Sequence, residues 1–383
     1  MSAKSSPRVP WIDHLRTLVI LLVVNVHACV TYSHVGDWYS MSEHEPTLKE
    51  KIPFIVWEGH LQSFFMGVLF FISGYFAAGS LRRKGSAAFI KERLVRLGLP
   101  ALFYMLVIHP FILLGLNPWR AKFPPVGEFY ARYLSKGVFL GESGPLWFAV
   151  ALLIFCLVYT GISGFPAGNI EPVERPPKTS AAPGGWAIIA FALMLGLASA
   201  LTRLVFPIGT DVQNFQLCFF PQYIAAFTVG IMAARRGWLL ALAGSPQAAR
   251  AGSIALIGGP IVLLALMFIG GQNGHEPFTG GWHWQAWAHA FWEQCTGVGL
   301  SLGLMSVLSR HLNRDGPCLH WLSDRAFAVY VLHAPVLIAL MMMFRVLPQN
   351  PYALAALLTV VGLVMSYSLA DVVRRIPGLR GIF

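Results

Sequence analysis

Arg16 and His27 stand eleven positions apart in the first apolar stretch of the chain. At ~100° per residue, eleven steps bring two side chains within about 20° on one helical face, roughly 16 Å apart along the axis. Asp13, three residues before Arg16, has the spacing to pair with its guanidinium. His34, seven residues past His27, continues the same face. His27 follows the run LVILLVVNV, and a neutral imidazole there can accept and return a proton near neutral pH. The same histidine reads equally as a buried residue bonded to a neighbouring helix. Arg16 reads equally as a basic anchor at a membrane surface.

Further ionisable or polar groups lie inside apolar runs, where each is costly and so a candidate for function. Glu58 and His60 sit in the outer part of the second run, followed by FFISGYF with Ser73 and Tyr75 as candidate ligand contacts. Gly74 in that motif permits close helix approach, and Ser73 can equally bond its own helix. Arg93 and Arg96, three apart at the start of the third run, can clamp phosphates; lipid headgroups are the plainer partner. Trp147, Arg203, Glu293 and His333 complete the set of candidate substrate contacts. Arg203, in LASALTRLVFP, has little near it in sequence to balance its charge. His333 precedes Pro335, so it can serve simply to satisfy a carbonyl that the proline frees.

The elements that hold these groups follow from composition. Hydrophobic residues make up 56% of the 383 and charged residues 12%, too little polar surface to cover the apolar mass in water. Disorder, a secreted disulfide scaffold and nucleic-acid binding are excluded. The five cysteines show no CxxC and read as small packing residues. Apolar blocks long enough to cross a bilayer place ten spans at about 15–33, 54–81, 93–116, 144–164, 186–206, 217–234, 252–270, 285–309, 324–345 and 353–373. With both termini cytoplasmic, twenty of the twenty-eight lysines and arginines fall on one side, as the positive-inside rule requires. The expected fold is thus an all-α polytopic membrane protein, one domain over residues 1–383. The outer segment 117–143 can lie along the interface, and the proline-rich segment 165–185 reads as a mobile linker. No Walker, GxGxxG, HExxH or GxSxG motif stands at a plausible site, and no metal-ligand spacing is present.

Five motifs in order carry a resemblance: WIDHLR with His27 after ten intervening residues, FFISGYF at 70–76, KERLVRLGLP at 91–100, PLWF at 145–148 and VYVLHAPV at 329–336. The chain resembles the membrane-bound acyltransferase family 3, over essentially its whole length to the closing RIPGLRGIF. The resemblance implies that Arg16 and His27 form the family's Arg-x10-His element and Arg93 and Arg96 its Arg-x-x-Arg. It implies an acyl-coenzyme A donor, succinyl or acetyl, on the cytoplasmic side of a bacterial inner membrane. The implied acceptor is a hydroxyl of a periplasmic glucan or other extracytoplasmic glycan. His27 would act as general base or as transient acyl carrier. A transporter of glycans or anionic metabolites, using Arg203, Glu293 and the histidines, is the competing expectation from the residues.

Overall fold

The computed structural model describes residues 9–116, 123–163 and 181–382. Trp119 and the part of the 165–185 linker before residue 181 lie outside the described residues. Among the described residues the regular structure is helical. Nine helices among the described residues are long and apolar enough to cross a membrane. They begin with α1 (Pro10–Ser33), α2 (Leu48–Lys84) and α3 (Ser86–Leu116, a run of alternating α and π turns), after which a short α4 (Val126–Ser135) leads to α5 (Trp147–Ser163). Then come α6 (Gly185–Thr202), α7 (Phe220–Arg236), a short α8 (Trp238–Gly244) and α9 (Pro246–Gly270). The chain closes with α10 (Trp284–His311), α11 (Pro317–Phe344) and α12 (Pro351–Arg375). The remaining expected span, 285–309, corresponds to α10, whose 28 residues suffice in length; Gln285, His289, Glu293 and Gln294 make its first half too polar to count by hydropathy. The protein is an all-α polytopic membrane protein.

Helix ends follow local chemistry. Pro10 opens α1 at a position where its missing N–H costs nothing, and Asp13 lies in the first turn near the positive end of the dipole. Thr47 and Glu50 form a capping box at the start of α2, and Arg82, Arg83 and Lys84 close its other end. Arg235 and Arg236 end α7, Arg310 ends α10, and Arg374 and Arg375 end α12. Because successive long helices alternate in direction, these clusters share the face where α1 begins, here called the basic face.

The π turns of α3 have a traceable cause. Pro100 and Pro110 lack the N–H that would continue the ladder, and the helix widens around them at Leu94–Gly98, Tyr104–Ile108 and Ile112–Leu116. Near Pro110 the carbonyls of Met105 and Leu106 lose helical donors. Tyr133 donates to Met105 O at 2.7 Å and Tyr130 to Leu106 O at 3.2 Å. The segment 117–143 therefore includes an amphipathic helix, α4, bound to α3 through the carbonyls that a proline frees.

Helix α1 packs against α2, α10, α11 and α12, which puts the Arg16–His27 helix among partners on several sides. Its Leu15, Val19 and Val24 are wholly enclosed. Helices α2 and α7 meet backbone to backbone: a Cβ added at Gly74 would lie 2.1 Å from Phe227 O, and one at Gly230 would lie 2.1 Å from Phe71 O. Gly74 of FFISGYF is thereby explained by packing.

Candidate active site

The site forms where α1 and α11 touch. His27 Nδ1 lies 2.9 Å from His333 Nε2, and His333 Nδ1 lies 2.8 Å from Tyr330 O. A carbonyl only accepts, so His333 Nδ1 carries a proton and donates it. A neutral His333 then presents Nε2 as an acceptor, and His27 must donate from Nδ1. The lone pair of His27 is left on Nε2, which has no hydrogen-bond partner among the described residues. Three consecutive constraints, starting at a backbone carbonyl, fix the tautomer that a base or nucleophile needs.

The expectation that His333 answers the carbonyl freed by Pro335 is corrected in detail. That carbonyl is Val331's, four residues before the proline, whereas His333 bonds Tyr330. His333 is wholly enclosed, and His27 is only half-buried. Thr31 on the next turn donates to His27 O at 2.8 Å.

The segment after α1 folds back over the pair. His34 caps α1 in the left-handed conformation at φ 54°, so it leaves the helical face it was expected to extend. Its Nε2 lies 3.1 Å from Ser42 O, and burial holds the imidazole below its ordinary range. Trp38 then stacks on His27, with ring centroids 4.0 Å apart and planes 14° from parallel. Next to it the Tyr39 hydroxyl lies 3.0 Å from both Tyr104 Oη and His109 Nδ1. His109 Nε2 is 3.2 Å from a Glu142 carboxylate oxygen. Burial, and the nearby Asp211, push the Glu142 carboxyl above its usual range. Gly144 is needed beside this cluster: its φ is 48°, and a Cβ would stand 2.3 Å from the Tyr39 hydroxyl.

Trp38, Tyr39, Tyr104, His109 and Glu142 were not singled out from the sequence. The rule that marked His27, an ionisable group inside an apolar run, applies equally to His109 in LVIHPF. Nothing local marks Trp38, which reaches His27 only because His34 turns the chain.

The other expected residues are distributed around this centre. Arg16 pairs with Asp13 at 3.2 Å and keeps 42% of its side chain exposed. Arg96 lies 3.5 Å from Glu92, which also pairs with Lys84. Arg93 rests over the Phe89 ring at 4.9 Å, and no hydrogen bond or ion pair engages its guanidinium among the described residues. Tyr75 lines a small cavity with Trp11, Ile12, Leu15 and Phe71 along the inner half of α1, and Ser73 is half-buried nearby on α2. Neither Arg16 nor His27 lines that cavity.

Glu58, enclosed, accepts from Ser33 Oγ at 2.9 Å. His60 Nδ1 bonds Val56 O at 2.6 Å, and its ring meets Trp292 edge-on. Trp147 stacks on Tyr223 with centroids 5.5 Å apart. Arg203 is corrected from an unbalanced arginine to one half of a buried pair: its guanidinium donates to Glu293, and both side chains are almost wholly enclosed. Of the expected residues, Asp13 touches Arg16, Arg203 touches Glu293, and His27 touches His333, which joins α1 to α11.

One variant tests the tautomer chain. His333→Leu should lower kcat for the reaction at His27 about tenfold, the worth of one orienting hydrogen bond, with substrate KM values unchanged. His333→Gln, whose amide oxygen can still accept from His27 Nδ1, should recover most of the loss. Equal damage in both variants would mean that His333 acts only through packing.

The family model described as an acyltransferase domain matches residues 9–372. Glucans biosynthesis protein C of Salmonella gallinarum (strain 287/91 / NCTC 13346) is 24% identical over 345 residues, covering 88% of this chain and 84% of the relative. The protein of the same name from Salmonella typhimurium (strain LT2) matches with the same identity and coverage. No solved structure matches. With α1 to α12 falling almost wholly within the matched residues, the chain belongs to the acyltransferase 3 family and is a multi-pass membrane acyltransferase.

Proposed function

We propose that the protein moves an acyl group from acyl-coenzyme A, docked at the basic face, to a hydroxyl of a glycan at the opposite face, with His27 as the base. The observation that carries this reading is the free Nε2 lone pair of His27, fixed by His333 and the Tyr330 carbonyl. The relatives' name, glucans biosynthesis protein C, supports a glucan as acceptor. The basic face would be cytoplasmic in a bacterial inner membrane. Succinyl-coenzyme A is the favoured donor, with acetyl-coenzyme A next.

In this mechanism the acceptor hydroxyl loses its proton to His27 Nε2 as its oxygen attacks the thioester carbonyl. Collapse of the tetrahedral intermediate breaks the C–S bond, and the departing thiolate takes the proton back from the imidazolium. Donor and acceptor protons balance without an outside acid. Stacking on Trp38 gives the transient cation an electron-rich face. Arg16, Arg93 and Arg96 supply positive charge for the donor's phosphates, and the guanidinium of Arg93 is free to engage them.

The test is transfer of label. Protein reconstituted in liposomes with labelled acyl-coenzyme A and a neutral gluco-oligosaccharide should yield labelled oligosaccharide; sugar crossing the bilayer unlabelled would replace this reading by transport. In the same assay Arg93→Ala should raise the donor KM tenfold or more, because charge-assisted hydrogen bonds contribute about 1.5–3 kcal/mol each. An unchanged donor KM would remove Arg93 from the dock.

A further inference from the structure

A cavity of about 70 Å³ opens between the ends of α1 and α11 that lie away from the basic face. It is lined by Tyr32, Ser42, Glu43, Met341, Phe344, Arg345 and Gln349. Its position follows from the same two helices that make the histidine pair. Tyr32 is five residues past His27, and Met341 eight past His333, so the walls begin roughly 8–12 Å beyond the pair along the helix axes. Ser42 and Glu43 belong to the segment whose Trp38 covers His27.

The lining is chemically mixed. Tyr32 and Phe344 present aromatic surface. Arg345 Nη1 lies 3.4 Å from Glu43 Oε1, and its Nε is enclosed without a hydrogen-bond partner. The amide nitrogen of Gln349 is held by Arg345 O at 3.2 Å and Leu347 O at 2.6 Å, which leaves Oε1 as an acceptor. The Tyr32 hydroxyl has no partner among the described residues and is not sealed off. Such a set offers a donor fork balanced by a carboxylate, a lone amide acceptor and a phenol around apolar faces. It suits a neutral polyhydroxylated ring, which has alternating hydroxyls and C–H faces, better than it suits an anion, because Glu43 already offsets Arg345.

We propose that this cavity binds a sugar unit of the acceptor glycan and so presents a neighbouring hydroxyl to His27. The inference rests on the acyl-transfer reading and adds the residues that recognise the acceptor: Arg345, Gln349 and Tyr32. The test uses initial rates of the purified full-length protein with acyl-coenzyme A and a neutral gluco-oligosaccharide. Gln349→Ala and Arg345→Ala should each raise the acceptor KM about three- to tenfold, the worth of a lost hydrogen bond, with donor KM unchanged. Tyr32→Phe, which keeps the ring, should act in the same direction if Arg345→Ala does not fold. An acceptor KM unmoved in all folded variants, or a donor KM that rises in its place, overturns the assignment. If the wild-type protein transfers nothing, the acyl-transfer reading fails separately. Calorimetric titration of the same oligosaccharide into wild type and Gln349→Ala then decides the site: weaker binding in the variant supports it, and equal or absent binding rejects it.

Discussion

His27→Ala is expected to lower kcat/KM for acyl transfer by about 10²–10⁴-fold, the usual contribution of a positioned general base. The size of the effect follows from geometry. The imidazole holds the one lone pair at this centre whose direction is fixed by a chain of bonds ending in a backbone carbonyl. Without it, a sugar hydroxyl must attack while still holding its proton. The substitution should be well tolerated structurally, because His27 is half-buried and its removal strands only His333 Nε2, an acceptor. Labelled transfer and thermal melting of the purified variant measure the two effects separately. Activity within tenfold of wild type in a protein with wild-type melting behaviour would displace His27 from the centre. A burst of one equivalent of coenzyme A, released in the absence of acceptor by wild type and lost in His27→Ala, would identify an acyl-histidine in place of direct attack.

What the sequence disclosed divides along a physical line. Span number, helix ends and the basic face were legible because hydropathy, capping residues and charge are local properties. Arg16 with Asp13 was legible for the same reason, since three residues on one helix fix their separation. The centre itself was not. His27 and His333 are 306 positions apart, and no periodicity within α1 or α11 says that the two helices touch at that depth. Each was marked only as an ionisable group in an apolar run, a mark that His109 shares. Tyr39, Tyr104 and Glu142 meet because Pro110 reshapes α3 and Gly144 lets the chain approach, effects that depend on tertiary packing. The short α4 was hidden by its length, although the need to answer carbonyls freed by Pro110 gives its two tyrosines a purpose.

The same blindness to long-range pairing explains the misreading of Arg203, and it yields the second large expected effect. Arg203 ends α6 and Glu293 lies in the outer half of α10; their side chains are 0% and 3% exposed. Gln294 Nε2 also donates to Glu293 at 3.2 Å, and the Arg203 guanidinium lies 5.5 Å over the Phe219 ring. Such a pair contributes little net stability while intact, because desolvation offsets the attraction, but removing one partner leaves an enclosed charge with no counterion. Arg203→Leu and Glu293→Leu should each destabilise the protein by about 3–5 kcal/mol. The double variant should regain most of that loss, since it strands neither charge. Melting of the four proteins in one detergent checks this; additive losses in the double variant would show that the two groups do not act as a pair. The series also separates a structural role from a catalytic one. If Arg203 binds a substrate carboxylate, the double variant will melt like wild type but show a raised KM for succinyl-coenzyme A relative to acetyl-coenzyme A. A purely structural pair leaves that ratio where it was, and the enclosure of both side chains favours this result.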